Sequence, residues 1–198
     1  MMIMPGNNSS PPVHYLAGAH PGLIGWIIGP KAVSHTKLRS WMPYALDNDA
    51  FSAYFNKTEW DETLWLEMLK WADLQDHPPL WVLVPDKVAD AKETLLNWVK
   101  YAPEAGKHGP LAFASQDGME PSDVPKEAQV VFMGGSTEWK WSNLAKWASI
   151  FPRMHVGRVN TIKKLTLCKE LGIESVDGGN WFLGGEKTMM QMVNFLKT

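Results

Sequence analysis

The chain has 198 residues and a mass of 22.3 kDa, 45% hydrophobic and 20% charged, with a formal charge of −2 from 19 Lys+Arg against 21 Asp+Glu. That profile excludes disorder as the main state, predicts one globular domain able to fold without disulfides or metal, and argues against a surface coated in phosphate-binding residues. No apolar run approaches the roughly 18–20 residues that cross a bilayer, and the opening MMIMPGNNSSPP lacks a charged start followed by an apolar stretch, so neither a membrane span nor a secretion signal is expected.

A single cysteine, Cys168, rules out an internal disulfide and a zinc site built from several thiolates, and it points to a cytoplasmic address. The 11 tryptophans are the compositional excess. They either fill the core or present rings on which bases stack, and packing is the favoured reading.

Residues 1–12 are polar and rich in Gly, Pro and Ser, which predicts a flexible N-terminal arm ahead of one folded domain over 13–198. Short apolar or β-branched runs follow, predicting strands over Tyr15–Ala19, Gly25–Gly29, Tyr44–Asp47, Trp81–Pro85, Leu111–Ser115, Val130–Gly134, Met154–Gly157 and Ser175–Asp177. Between them helical periodicity predicts helices over Trp60–Leu74 with Thr58 as cap, Ala89–Tyr101, Trp139–Phe151, Ile162–Leu171 stopped by Gly172, and Lys187–Leu196. Eight strands with intervening helices predict a compact α/β fold, a (β/α)8 TIM-type barrel. Such barrels usually need about 200–250 residues, so the first turns should be abbreviated; an open doubly wound sheet is the alternative.

Polar residues recur at one structural position, the C-terminal end of the predicted strands. YALDND ends in Asp47, WVLVPD in Asp86, LAFASQD in Gln116 and Asp117, VVFMGGS in Gly134 and Gly135, MHVGRVN in Arg158, and SVDGGN in Asp177. In a parallel barrel these ends converge on the rim where active sites are built. A single Asp after a strand is more often a turn former or helix cap, the reading taken for Asp61, Asp90 and Asp123. Capping alone does not explain a whole set of carboxylates ending apolar runs, and burial would perturb their titration as acid–base work requires.

Gly134-Gly135 is a tight turn or a place where a ligand lies against backbone N–H groups. No P-loop or dinucleotide fingerprint is present. His14, His20, His35, His77 and His108 lack metal-ligand spacing and read as surface or loop residues; His155 lies inside a strand run with the rim open to it, and it is not assigned as a base. Arg158, Lys163 and Lys164 follow the seventh strand, where barrels often hold phosphate, although the two lysines read equally well as a solvated face.

The order LDNDAF, VPD, SQDG, MGGS, VGRVN, SVDGG resembles the tRNA-guanine transglycosylase superfamily, most closely its short paralogues in phages and bacterial modification clusters that place 7-deazaguanines in DNA. The resemblance runs from Tyr44 to Trp181, about two thirds of the chain. It implies that Asp47 and Phe51 in DNDAF correspond to the family's DSGGF or DSGGY segment, in which the Asp is the general acid/base and the aromatic ring stacks on the bound base. By the same resemblance Asp86 reads the guanine edge, and Gln116 and the Gly135 backbone, within the Gly134-Gly135 pair, donate to its carbonyl. Val156 closes the other face of the base, and Asp177 is the nucleophile.

Two departures bear on the substrate. The tRNA enzymes carry a three-Cys, one-His zinc site in a C-terminal extension; this chain has one Cys and ends soon after Asp177, which favours DNA over tRNA and predicts neither a metal nor another cofactor. Asp49-Ala50 replaces the family's glycine pair.

The expected activity is therefore guanine transglycosylation through a covalent Asp177–sugar intermediate, with a nucleic acid and a free 7-deazaguanine base as partners. If the chain is phage-encoded, its address is the host cytoplasm. A base-releasing N-glycosylase or nucleosidase, and a non-catalytic nucleic-acid-binding barrel subunit, are the other readings. A homodimer or a partner subunit stays open.

Overall fold

A computed structural model of the chain describes residues 1–6, 10–179, 181 and 185–197. Eight parallel strands form one sheet: β1 (Met2–Ile3), β2 (Trp26–Ile28), β3 (Tyr44–Leu46), β4 (Val82–Leu83), β5 (Leu111–Ala114), β6 (Val130–Met133), β7 (Met154–Val156) and β8 (Ser175–Val176). The order β1-β8-β7-β6-β5-β4-β3-β2 brings the ends of the sheet together. Single bridges, Ile3–Ile24 from β1 to the segment entering β2 and Gly6–Ile27 from just after β1 to β2 itself, make the sheet a nearly closed (β/α)8 barrel in one domain.

Around it lie α1 (Pro11–Ala19), α2 (Ala50–Asn56), α3 (Glu62–Ala72), α4 (Ala91–Ala105), α5 (Thr137–Ala148), α6 (Ile162–Glu170) and α7 (Glu186–Leu196). Short 3-10 turns at Pro30–His35 and Pro121–Asp123 replace full helices after β2 and β5, which is how 198 residues suffice for the barrel. Asp61 and Asp90 cap α3 and α4 by accepting from Leu64 N at 3.0 Å and Glu93 N at 2.9 Å. Each satisfies an N–H that the first helical turn leaves without a partner. The cap of α3 is thus Asp61 rather than Thr58, because Trp60 turns its indole N–H to the Asn48 carbonyl at 2.7 Å instead of entering the helix.

Two expectations near the N-terminus are corrected. The arm predicted over 1–12 contains the first strand: Met2 and Ile3 pair with Ser175 and Val176, and Ile3 and Met4 are fully buried. The apolar Met1–Met4 run outweighs the polar composition that follows it, and residues 7–9 lie outside the described residues. The strand predicted over Tyr15–Ala19 belongs instead to α1, which Pro11 and Pro12 open, with Val13, Leu16 and Ala17 buried at helical spacing. Strands β2 to β8 form within the other seven segments.

Strand parity divides the apolar residues into two layers. Ile27, Ala45, Trp81, Leu83, Ala112, Ala114 and Val130 pack inside the barrel with Met4. Ile28, Tyr44, Leu46, Val82, Phe113, Val131, Val156 and Val176 pack outward against helix residues such as Trp65, Leu69, Trp98, Leu144, Trp147 and Leu165. Every tryptophan except Trp41 lies in or against one of these layers, so the excess fills the core. Among the described residues no helix is long and apolar enough to cross a membrane.

If the N-terminal residues close the barrel, Ile3→Ala should cost about 2–5 kcal/mol, the usual range for emptying a buried aliphatic site. Urea denaturation measures this, and an unpacked arm would give no change.

Candidate active site

A cavity of about 310 Å³ opens at the C-terminal ends of the strands. Asp47, Phe51, Asp86, Gln116, Gly134, Gly135, Arg158 and Asp177 all line it. Apart from Phe51, in the first turn of α2, these residues lie just after β3, β4, β5, β6, β7 and β8, because a parallel barrel aims every strand at the same rim.

Val156 is the exception. It is fully buried in the outer layer against the helices and does not line the cavity. Parity explains the correction: His155 and Gly157 face inward on β7 and its exit, so Val156 between them faces out. Gly157 takes the wall position, and a Cβ there would lie 3.1 Å from the Phe132 ring and 3.2 Å from Asp177 Oδ2.

Asp177 receives donors on both carboxylate oxygens. The Arg158 N–H donates to Oδ1 at 2.8 Å, and His155 Nε2 lies 3.1 Å from Oδ2. His155 is fully buried, its Nδ1 2.9 Å from Ser175 Oγ, its ring packed against Trp81 at 4.9 Å and Phe132 at 4.8 Å. With the Nε2–H tautomer assigned from this network, the Ser175 hydroxyl donates to Nδ1 and the imidazole donates to Asp177.

Asp47 sits in a different environment. Burial first, then the negative charges of Asp49 and Asp177 and more weakly Asp86, push its pKa up to about 7, against the lowering effect of the Asn48 N–H at 2.7 Å. Asp47 retains some exposure toward the cavity it lines, but protein surrounds it at longer range. Asp86 is also raised by burial, opposed by donors from Asn48 Nδ2 at 2.8 Å and Gln116 Nε2 at 2.7 Å. The Ala89 N–H donates to Gln116 Oε1 at 3.1 Å, which fixes the amide so that Nε2 is the group turned to Asp86.

Two non-glycine residues hold this arrangement from left-handed backbone. Ala89 has φ 64° and Arg158 φ 61°, and each directs its N–H to a polar side chain that lines the cavity. Strain of this kind persists where surrounding contacts over-determine the backbone. Gly135, at φ 72°, makes the turn after β6, and a Cβ there would lie 2.4 Å from Asp117 Oδ1 and 2.7 Å from the Trp139 ring. Asp117 orients this turn by accepting from Ser136 N at 2.6 Å.

Arg158 also bridges the rim. Its guanidinium donates to the Gly135 carbonyl at 2.5 Å and lies 4.5 Å over the Phe51 ring, so a ligand stacking on that face of Phe51 must displace it.

Sequence reasoning left Asn48, His155 and Lys140 without a role. Asn48 is buried and ties β3 to β4 through Val84 O at 3.0 Å and Asp86. Asp49, unexplained by the resemblance, packs against Gly29 outside the main cavity and adds negative charge to Asp47. Inward parity with Gly157 was the available signal for His155. Among the described residues no group of three or more His, Cys, Asp or Glu could hold a metal ion.

The raised pKa of Asp47 makes a stability prediction with a definite sign. The folded state binds this proton more tightly than the unfolded state, so the contribution is complete below about pH 4 and is lost as pH rises through about 7. Asp47→Asn should flatten that decline and be the more stable form at pH 8, by on the order of 1–3 kcal/mol, read from urea denaturation at pH 5 and pH 8.

No family model matches the chain, and no curated protein matches it.

Proposed function

We propose that the chain is a pentosyltransferase of the guanine transglycosylase type, exchanging guanine in DNA for a free 7-deazaguanine base through a covalent Asp177–sugar ester. The observation that carries this reading is the unlike environment of two carboxylates lining one cavity. Asp47 holds its proton near neutral pH, whereas both oxygens of Asp177 meet donors suited to a carboxylate.

In the first half-reaction a carboxylate oxygen of Asp177 forms a bond to the anomeric carbon as the glycosidic bond breaks. The bonding pair leaves with the purine, and Asp47 delivers its proton to that departing base. In the second half-reaction the incoming base loses its proton to Asp47 and attacks the same carbon, and the ester oxygen returns to Asp177 as carboxylate. Splitting one displacement into two in this way needs no change of oxidation state.

Recognition follows from donor and acceptor placement. A guanine edge offers N–H donors beside an acceptor oxygen. Asp86, already ordered by Asn48 and Gln116, supplies the acceptor, while Gln116 Nε2 and the Gly135 backbone N–H are the donors for the oxygen. At about 310 Å³ the cavity lies at the small end of ligand sites. That suits a single base presented out of the duplex or on a single strand.

The test is incubation of guanine-containing DNA with labelled guanine, alongside denaturing gels that detect a covalent protein–DNA adduct. Label should enter the polymer, and both Asp177→Ala and Asp177→Asn should abolish the adduct. Persistence of the adduct in either variant removes the nucleophile assignment. Release of guanine without incorporation identifies the base-releasing glycosylase, and binding without either identifies a non-catalytic module. Asp47→Asn should slow adduct formation about 10²–10⁴-fold, the usual contribution of a positioned acid, and the unmodified protein should lose adduct-forming rate as pH rises through about 7.

A further inference from the structure

Lys140, near the start of α5, is 1% exposed, an uncommon state for a lysine. Its Nζ donates to the carbonyl oxygen of Gly157 at the exit of β7. It lies behind the cavity wall: Gly157 and Arg158 line the cavity and Lys140 does not.

The Gly157 carbonyl and the Arg158 N–H are opposite ends of one planar trans peptide. One end receives the buried ammonium, and the other donates to Asp177 Oδ1 at 2.8 Å. Arg158 holds φ 61°, which turns this peptide across the rim instead of continuing the strand. A cation on the carbonyl polarises the peptide and strengthens the N–H as a donor, an effect enlarged by a low local dielectric. A lysine buried only to satisfy one carbonyl would cost more than it returns, since desolvating an ammonium far outweighs one neutral hydrogen bond.

We propose that Lys140 is a positioning residue for Asp177, fixing and polarising the Gly157–Arg158 peptide from behind so that its N–H holds the Asp177 carboxylate toward the sugar. This rests on the reading of Asp177 as nucleophile. The groups facing Lys140 are Arg158 and Asp177 at the rim and Lys164 and Cys168 on α6, with the Trp141 ring 5.7 Å away. Burial, then Arg158, lowers the Lys140 pKa to about 8 while Asp177 opposes the change. Burial pushes the Cys168 thiol up to about 12, so it stays neutral over the same range.

The experiment follows the Arg158 amide proton by NMR on the full chain as pH is raised from about 6.5 to 9.5 across the Lys140 transition. Its resonance should move with a midpoint near 8, should do so equally in Asp47→Asn, and should lose that step in Lys140→Met. In parallel, Lys140→Met should slow adduct formation about 10- to 100-fold at unchanged half-saturating DNA, with Lys140→Arg restoring most of the rate. An Arg158 amide resonance in Lys140→Met that matches the unmodified protein at about pH 6.5, where the lysine is charged, or adduct formation at the unmodified rate in Lys140→Met, overturns the proposal. Lys140→Gln, which removes the charge but keeps a polar head, supplies the same two readouts if Lys140→Met does not fold. A normal Arg158 step with no adduct in the unmodified protein would instead sink the transglycosylase reading and leave the link from Lys140 to the Asp177 peptide standing.

Discussion

Three carboxylates, Asp47, Asp86 and Asp177, line one cavity, and like charges that share a partly buried site cannot all be carried without compensation. The protein answers differently at each. Asp177 takes the Arg158 N–H and the His155 imidazole, Asp86 takes two side-chain amides, and Asp47 has one backbone N–H against the charges of its neighbours. Asp47, with the fewest donors, has its pKa pushed up to about 7 and so carries a proton into the neutral range. Under the proposed reaction, that inequality separates an acid from a nucleophile.

The donors that create the inequality are held by the scaffold rather than by each other. Asn48 ties β3 to β4, and Ala89 fixes the Gln116 amide that closes on Asp86. His155 is locked between Trp81 and Phe132 and anchored to Ser175. Left-handed backbone at Ala89 and Arg158 is a cost borne at the rim, and the buried charge of Lys140 is another. Both sit where they act on a polar group of the cavity, whereas the left-handed residues Asp49 and Lys57 bound the short helix α2 instead.

Legibility of the fold followed the strength of local signals. Strands β2 to β8 are legible as short apolar runs and α3 to α7 as amphipathic periodicities, because each pattern repeats within a few residues. Strand β1 is only two residues long, and nothing local distinguishes Met2–Ile3 from a loose terminus until β8 pairs with it. Helix α1 was misread because five residues, Tyr15 to Ala19, fit either period until the double proline is counted as a helix start.

At the candidate site, residue order alone determined which polar side chains end the strands, and parallel strands then left them no destination except a common rim. What only the tertiary structure decided is which atoms meet. Val156 and Gly157 differ by one residue but face opposite layers, so the wall of the cavity depends on register, not on chemistry. His155, Asn48 and Lys140 gain their roles from partners 22, 38 and 17 residues away. Burial and pairing across such separations exist only once the chain has closed on itself, which is why the sequence could place the acids while the fold had to assign their charges.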